Sequence, residues 1–258
     1  RNAWKIPDLR KKILFTLLII IVFRFGSVIP VPFLDAEALR TLMQTVEEQG
    51  TFLSYVNMMT GGAFAQATLF AMGITPYINS SIIMQLLTVA IPPLERLARE
   101  GEEGRKKISA ITRYVTVVLG LIQGTAYFFY LRNNNITLYR DGFAQVFTAI
   151  VIIFVFTAGT ALMMWLGEQI NQKGIGNGIS ILLFAGIVAR LPYTGEQLWA
   201  YISMAMEAPQ SYGQYFALAP LWIVLFLVVI WVIIFMNVAE RRIPIQYAKR
   251  VVGRKMYG

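Results

Sequence analysis

GGAFAQATLFAMGITPYINSSIIMQLL, residues 61–87, is apolar enough for a bilayer, yet Gly61, Gly62, Gly73 and Pro76 interrupt it. A continuous spanning helix avoids such residues. Glycine costs helix stability, and proline removes a backbone donor and clashes with the preceding turn. Irregular backbone at membrane depth is tolerated only where it is buried in protein or lines a water-filled cavity. The stretch therefore reads as two half-segments, 51–72 and 74–94, that meet near Gly73 and Pro76 beside a pathway through a membrane.

The composition agrees. Of 258 residues, 57% are hydrophobic and 14% charged, and the mean hydropathy is +0.58. A soluble domain has roughly 45–50% apolar and about 25% charged residues. The chain reads as an all-α polytopic membrane protein. It has no cysteine and no histidine. That removes disulfides, thiolate metal sites, Ser-His and Cys-His nucleophile pairs, and histidine ligation of zinc or haem. Most hydrolase and metalloenzyme readings fall with them.

Outward from the broken stretch, the chain alternates apolar runs and polar loops. A basic lead-in with Lys5, Arg10, Lys11 and Lys12 precedes a first span, 13–32, that holds Arg24. The lead-in resembles the start of a signal peptide, but the apolar run is too long and lacks a small-residue cleavage site. An arginine inside a membrane span calls for a partner or for snorkelling to one face. Residues 33–57 read as an acidic loop. After Pro92 and Pro93 comes a basic loop, followed by spans at 111–131, 145–167, 179–193 and 220–238. Residues 194–219 read as a loop and 240–258 as a basic tail.

Charge sets the orientation. The lead-in, the loops at 94–114 and 168–178, and the tail carry 18 of the 23 Lys and Arg residues. Cytoplasmic loops carry such an excess. The alternation fits six crossings with both ends cytoplasmic, so most of the net charge of +9 is topology. The tail exceeds that need, and so dense a basic cluster can meet lipid headgroups or RNA phosphates.

Three stretches together resemble the SecY family of protein-export channel subunits. They are FAMGITPYINSSIIMQLL (70–87), WLGEQINQKGIGNGISILLF (165–184) and ERRIPIQYAKRVVGRKMYG (240–258), joined by EGEEGRKKISAITRY (100–114). The resemblance implies an inverted-repeat helix bundle with a re-entrant plug, of which six transmembrane segments of an expected ten lie here. It implies a first five-helix half over 1–193, with gate helices at 74–94 and 111–131, and a sixth helix with the start of a cytoplasmic loop over 194–258. The chain begins with Arg rather than Met and stops in a basic loop, so a fragment is expected, its remaining helices lying elsewhere.

The same resemblance assigns residues. Ile74, Ile78, Ile179 and Leu183 fall on an apolar pore ring, which resists water and ions when narrow. On spacing alone, apolar residues at i and i+4 are plain packing. A short re-entrant plug helix falls on 57–71, with Asn57, Met58, Thr60, Gly61, Gly62 and Phe64. A lateral gate wall falls on Asn79, Ser80, Gln85 and Gln123. Polar side chains there are also ordinary interhelical glue, worth about 0.6 kcal/mol per contact. Lys249, Arg250, Arg254 and Lys255 fall on a loop that docks ribosomes and the SecA motor, although a solvated basic loop reads the same way. The glycine-rich run 173–178 lacks the strand and the Gly-Lys-Ser/Thr end of a phosphate loop, and reads as a tight turn.

The implied activity is a passive protein-conducting pore in a bacterial plasma membrane, with no enzyme activity, cofactor, metal site or small-molecule substrate expected. Its expected partners are SecE, SecG, SecA, the ribosome, signal peptides, nascent chains and lipid. A secondary transporter also uses broken helices, but it needs ionisable or ion-coordinating groups at the break. An intramembrane protease needs an Asp pair or a Ser with a base. The spans 74–94, 111–131 and 145–167 contain no Asp.

Overall fold

The computed structural model describes residues 5–48, 50, 52–207, 210, 213–240, 250–252 and 255–257; for 47, 48 and the last two segments only the backbone is described. The chain separates into two compact units, Arg1–Pro192 and Tyr193–Gly258.

The first unit is helical. Helix α1 is Pro7–Gly26, with proline in its first turn, where a missing N–H costs nothing. It ends six residues short of the expected span, and the Ser27 hydroxyl donates to the Phe23 carbonyl at 2.9 Å. Arg24 is exposed in its last turn, where a cation suits the helix dipole. Among the described residues Arg24 has no ion-pair partner.

Residues 33–57 were expected as a loop and instead hold two helices, α2 (Ala36–Glu48) and α3 (Phe52–Met59). Asp35 Oδ1 caps α2 by accepting from the Glu37 and Ala38 N–H groups at 3.0 and 3.1 Å. Leu39, Met43 and Val46 form its buried stripe at helical spacing.

The first half-segment does not form as one helix, and neither does the plug helix expected over 57–71. Residues 60–74 run in successive turns before α4 (Thr75–Ala90) begins. The cause is local backbone. Gly61, Gly62 and Gly73 have φ of 67°, 91° and 57°, and Ala67 has φ 41°, all incompatible with a right-handed helix. The second half-segment also breaks early. Ile91 precedes two prolines and adopts an extended conformation (φ −110°, ψ 111°), as a pre-proline residue does. Helix α5 (Pro92–Arg99) then leaves α4 at 101°.

Helices α6 (Glu102–Asn133) and α7 (Gly142–Lys173) have 32 residues each and pack along each other at glycines. A Cβ on Gly120 would lie 3.2 Å from Thr160, and one on Gly124 3.3 Å from Phe156. Such close approach is what small residues allow between membrane helices. The 168–178 turn starts later than expected, because α7 continues to Lys173. Helix α8 (Gly178–Val188) then begins with Asn177, whose Oδ1 accepts from the Ile179 and Ser180 N–H groups. Helix α9 (Leu191–Glu207) replaces part of the loop expected at 194–219.

In the second unit, α10 (Tyr215–Val238) is apolar but for Asn237 near its end, and most of its large side chains are exposed. A two-stranded antiparallel ribbon, β1 (Arg250–Val252) with β2 (Lys255–Tyr257), lies in the tail. Lys249 and Arg254 lie outside the described residues.

Among the described residues, four helical runs can cross a membrane by length and composition: α6, α7, Gly178–Glu207 and α10. The bent pair α4–α5 makes a fifth if taken as one span. The sixth expected crossing, α1, has its apolar run bracketed by Arg10, Lys11 and Lys12 on one side and Arg24 on the other.

Candidate functional site

The apolar centre of the first unit gathers residues that lie far apart in sequence. Ile19 and Phe23 of α1, Ile74 before α4, Met163, Leu166 and Ile170 of α7, and Leu182 of α8 are all buried in one cluster, and Ile78, Ile179 and Leu183 pack against it half-buried. All four ring candidates therefore belong to one apolar patch. Two of them, Ile74 and Ile179, meet over Gly167 on α7. A Cβ there would sit 3.4 Å from Ile179 Cγ1, 3.6 Å from Ile74 Cδ1 and 3.7 Å from Leu182 Cδ1. Gly178 abuts the Gly167 carbonyl, so the start of α8 lies directly on α7. Neither Gly167 nor Leu182 was singled out from the sequence. Their signal was the paired glycines on the two sides of the 168–178 turn.

Ala63 and Phe70 belong to the same cluster, which places residues 60–74 beside the ring candidates. This segment is built from specific bonds. Asn57 Oδ1 accepts from the Ala65 N–H at 2.9 Å, Thr60 Oγ1 accepts from the Phe64 N–H at 3.1 Å, and the Asn57 carbonyl accepts from the Gly62 N–H at 2.9 Å. Asn57, Thr60 and Phe64 are buried, whereas Met58 is exposed. Gly61 touches α8: a Cβ there would lie 2.7 Å from the Gly186 carbonyl oxygen. Further along, the segment pairs with the chain after α1. The Val31 N–H donates to the Ala67 carbonyl, and the Leu69 N–H donates to the Ile29 carbonyl. Gly159 of α7 admits the Leu69 carbonyl so closely that any side chain would collide with it.

Tyr127 of α6, also missed in the sequence, holds the middle of the segment. Its Oη donates to the Phe64 carbonyl at 2.7 Å, and its ring lies 4.4 Å from that of Phe64 and 5.2 Å from that of Phe156. Tyr127→Phe keeps the ring and leaves the carbonyl without this donor. The expected cost is about 1 kcal/mol, measurable as a lower thermal midpoint of the purified full-length protein. An unchanged midpoint would show that the hydroxyl contributes nothing.

The gate candidates are not brought together by hydrogen bonds among the described residues. Ser80 is fully buried, but its hydroxyl donates to the Pro76 carbonyl of its own helix at 2.8 Å. Asn79 and Gln85 are exposed on α4, and Gln123 is half-buried on α6. Gln85 does line a cavity of about 300 Å³ between α4 and α6, with Tyr77, Ser81 and Thr88 on one wall and Arg105, Ser109 and Thr112 on the other. Of the four tail bases, only the backbone of Arg250 and Lys255 is described.

A family model described as SecY matches residues 68–258. The SecY protein translocase subunit of Streptomyces scabiei is 43% identical over 267 residues, and that of Thermotoga maritima 43% over 261. Both alignments cover 100% of this chain but 58% of the relative's length. Among solved structures, a protein-conducting channel is similar with a TM-score of 0.58 at 19% identity, over 89% of this chain and 50% of that one. Sec61 in a canine ribosome-channel complex from the endoplasmic reticulum gives 0.57 at 19% identity, over 89% and 51%. At that identity the likeness is one of fold.

Proposed function

We propose a role for this chain from one premise: it belongs to the SecY family. The chain forms part of the wall of a protein-conducting channel, through which unfolded polypeptides cross a membrane and apolar segments leave sideways into lipid. Residues 1–193 supply one half of that wall, and 194–258 begin the other. Ile74, Ile78, Ile179 and Leu183 contribute to an apolar constriction. Residues 57–71 act as a plug beside it, and α4 with α6 forms one side of a lateral gate.

The observation that supports this reading best is the shared cluster. The four ring candidates pack with Ala63 and Phe70 from the irregular segment, and two of them, Ile74 and Ile179, meet over Gly167. An apolar constriction of that kind stays dewetted when closed and yields around a passing chain. A transporter with broken helices would place ion-coordinating groups at the break. Here Phe70, Ile74, Met163 and Leu166 stand there instead.

The membrane is proposed to be the bacterial inner membrane, with both ends of the chain on the cytoplasmic side. SecE and SecG are the proposed companion subunits. The ribosome and SecA are proposed to meet the tail through Lys249, Arg250, Arg254 and Lys255. The channel is passive, and its energy comes from those partners.

The test is conductance. In the full-length channel reconstituted in planar bilayers, Ile78→Asn and Ile179→Asn are expected to raise resting ion leak and to relax selection of signal sequences. Resting conductance at the parental level in both variants would overturn the ring assignment.

A further inference from the structure

One charged contact lies next to the ring candidates. Arg113 Nε sits 2.8 Å from Glu168 Oε1 and ties α6 to α7 across 55 positions of sequence. The two are not alike in exposure: the Glu168 side chain is 15% exposed and that of Arg113 48%. A carboxylate shielded to that degree depends on its cation, because removing one partner leaves a charge with reduced solvation.

The position of the pair matters more than its strength. Glu168 follows Gly167, the residue over which Ile74, Ile179 and Leu182 converge. The Gly167 carbonyl is also the surface on which Gly178 rests. The α7 backbone at 167–168 is thus the common support of the segments that carry the ring candidates, the start of α4 and the start of α8. Tyr77, adjacent to Ile78 on α4, lies in the field of both Glu168 and Arg113.

We propose that Arg113 and Glu168 are a positioning pair that holds the α7 backbone against Ile74 and Ile179 and so sets how tightly the apolar ring closes. The proposal rests on the ring reading above. Neither residue touches the translocating chain. Both act through Gly167, and the hydrogen-bonded ion pair from Arg113 Nε–H to Glu168 Oε1, rather than the bulk of either side chain, does the holding.

The experiment compares resting ion leak of the full-length channel in planar bilayers for Glu168→Gln, Arg113→Gln and the exchange Arg113→Glu with Glu168→Arg, with Ile78→Asn as control. Each single variant is expected to leak several-fold more than the parent, and the exchange to return most of the way to the parental level. A purely structural role for the bulk of these side chains gives no such rescue. If the control leaks while the single variants do not, or if the exchange leaks as much as they do, the positioning role is overturned and the ring reading stands. If the control itself does not leak, the ring reading fails first. Arg113→Lys keeps the charge but loses the Nε–H donor and the planar fork, and an intermediate leak is expected from it. Should the harsher variants not accumulate, a parental leak from Arg113→Lys overturns the proposal.

Discussion

Gly178→Ala is expected to push α8 off α7 and to destabilise the full-length protein by about 3 kcal/mol or more, the upper end of what overpacking costs. A Cβ at this position would lie 2.0 Å from the Gly167 carbonyl oxygen, 2.8 Å from Ile170 Cβ and 2.9 Å from the Gly167 carbonyl carbon. The two nearest obstacles cannot rotate away, because one is backbone and the other the root of a side chain. The glycine itself is held in place: its N–H donates to Asn171 Oδ1 at 2.7 Å, and Asn177 beside it caps α8. The clash must be relieved by moving one whole helix end. Gly167→Ala is the internal control. Its added methyl would meet its nearest neighbour at 3.4 Å, ordinary van der Waals contact, so its expected effect is small although it lies against Ile74 and Ile179. Thermal midpoints of the two purified variants give the comparison. A Gly178→Ala midpoint as high as that of Gly167→Ala would mean that the α7–α8 junction is not packed as described.

What the sequence made legible follows the range of the forces involved. Long apolar runs announce α6, α7 and α10, because bilayer thickness alone demands about twenty such residues. Helix α2 was missed although Leu39, Met43 and Val46 carry its period. The acids around them, Asp35, Glu37, Glu47 and Glu48, made the segment read as a loop. One of those acids, Asp35, is instead the N-cap. The break at Gly73 and Pro76 was visible in the glycines, but the course of residues 60–74 was not. It is fixed by Tyr127, Gly159, Gly186 and Ile29, none of them near in sequence. The 101° bend at Ile91 was signalled by the two prolines after it, yet a proline pair marks a break without giving its angle. The ring candidates came from family resemblance. The residue that seats Ile74 and Ile179, Gly167, came only from the structure, because a glycine's role as a shelf is defined by what lies across from it.

Gly61→Ala is expected to raise the resting ion leak several-fold, and its neighbour Gly62→Ala is expected to leave it close to parental. The two substitutions share one cost. Both glycines have positive φ, 67° and 91°, and an alanine in the left-handed region costs about 1–2 kcal/mol. They differ in what a Cβ would meet. At Gly62 nothing lies within 4 Å, while at Gly61 the Gly186 carbonyl oxygen lies at 2.7 Å and its Cα at 3.0 Å. Gly186 is confined from its own side, because a Cβ on it would be 3.0 Å from the Met59 carbonyl oxygen. Two backbones thus touch at glycine on both sides, and a methyl at Gly61 works as a wedge between them. One of those backbones is α8, which carries Ile179 and Leu183; the other leads through Phe70 to Ile74. Separating them pulls the irregular segment away from the apolar patch against which it packs. The comparison of the two variants therefore isolates the wedge from the backbone strain. Equal leak in both would assign the whole effect to strain and leave the Gly61–Gly186 contact without a part in it.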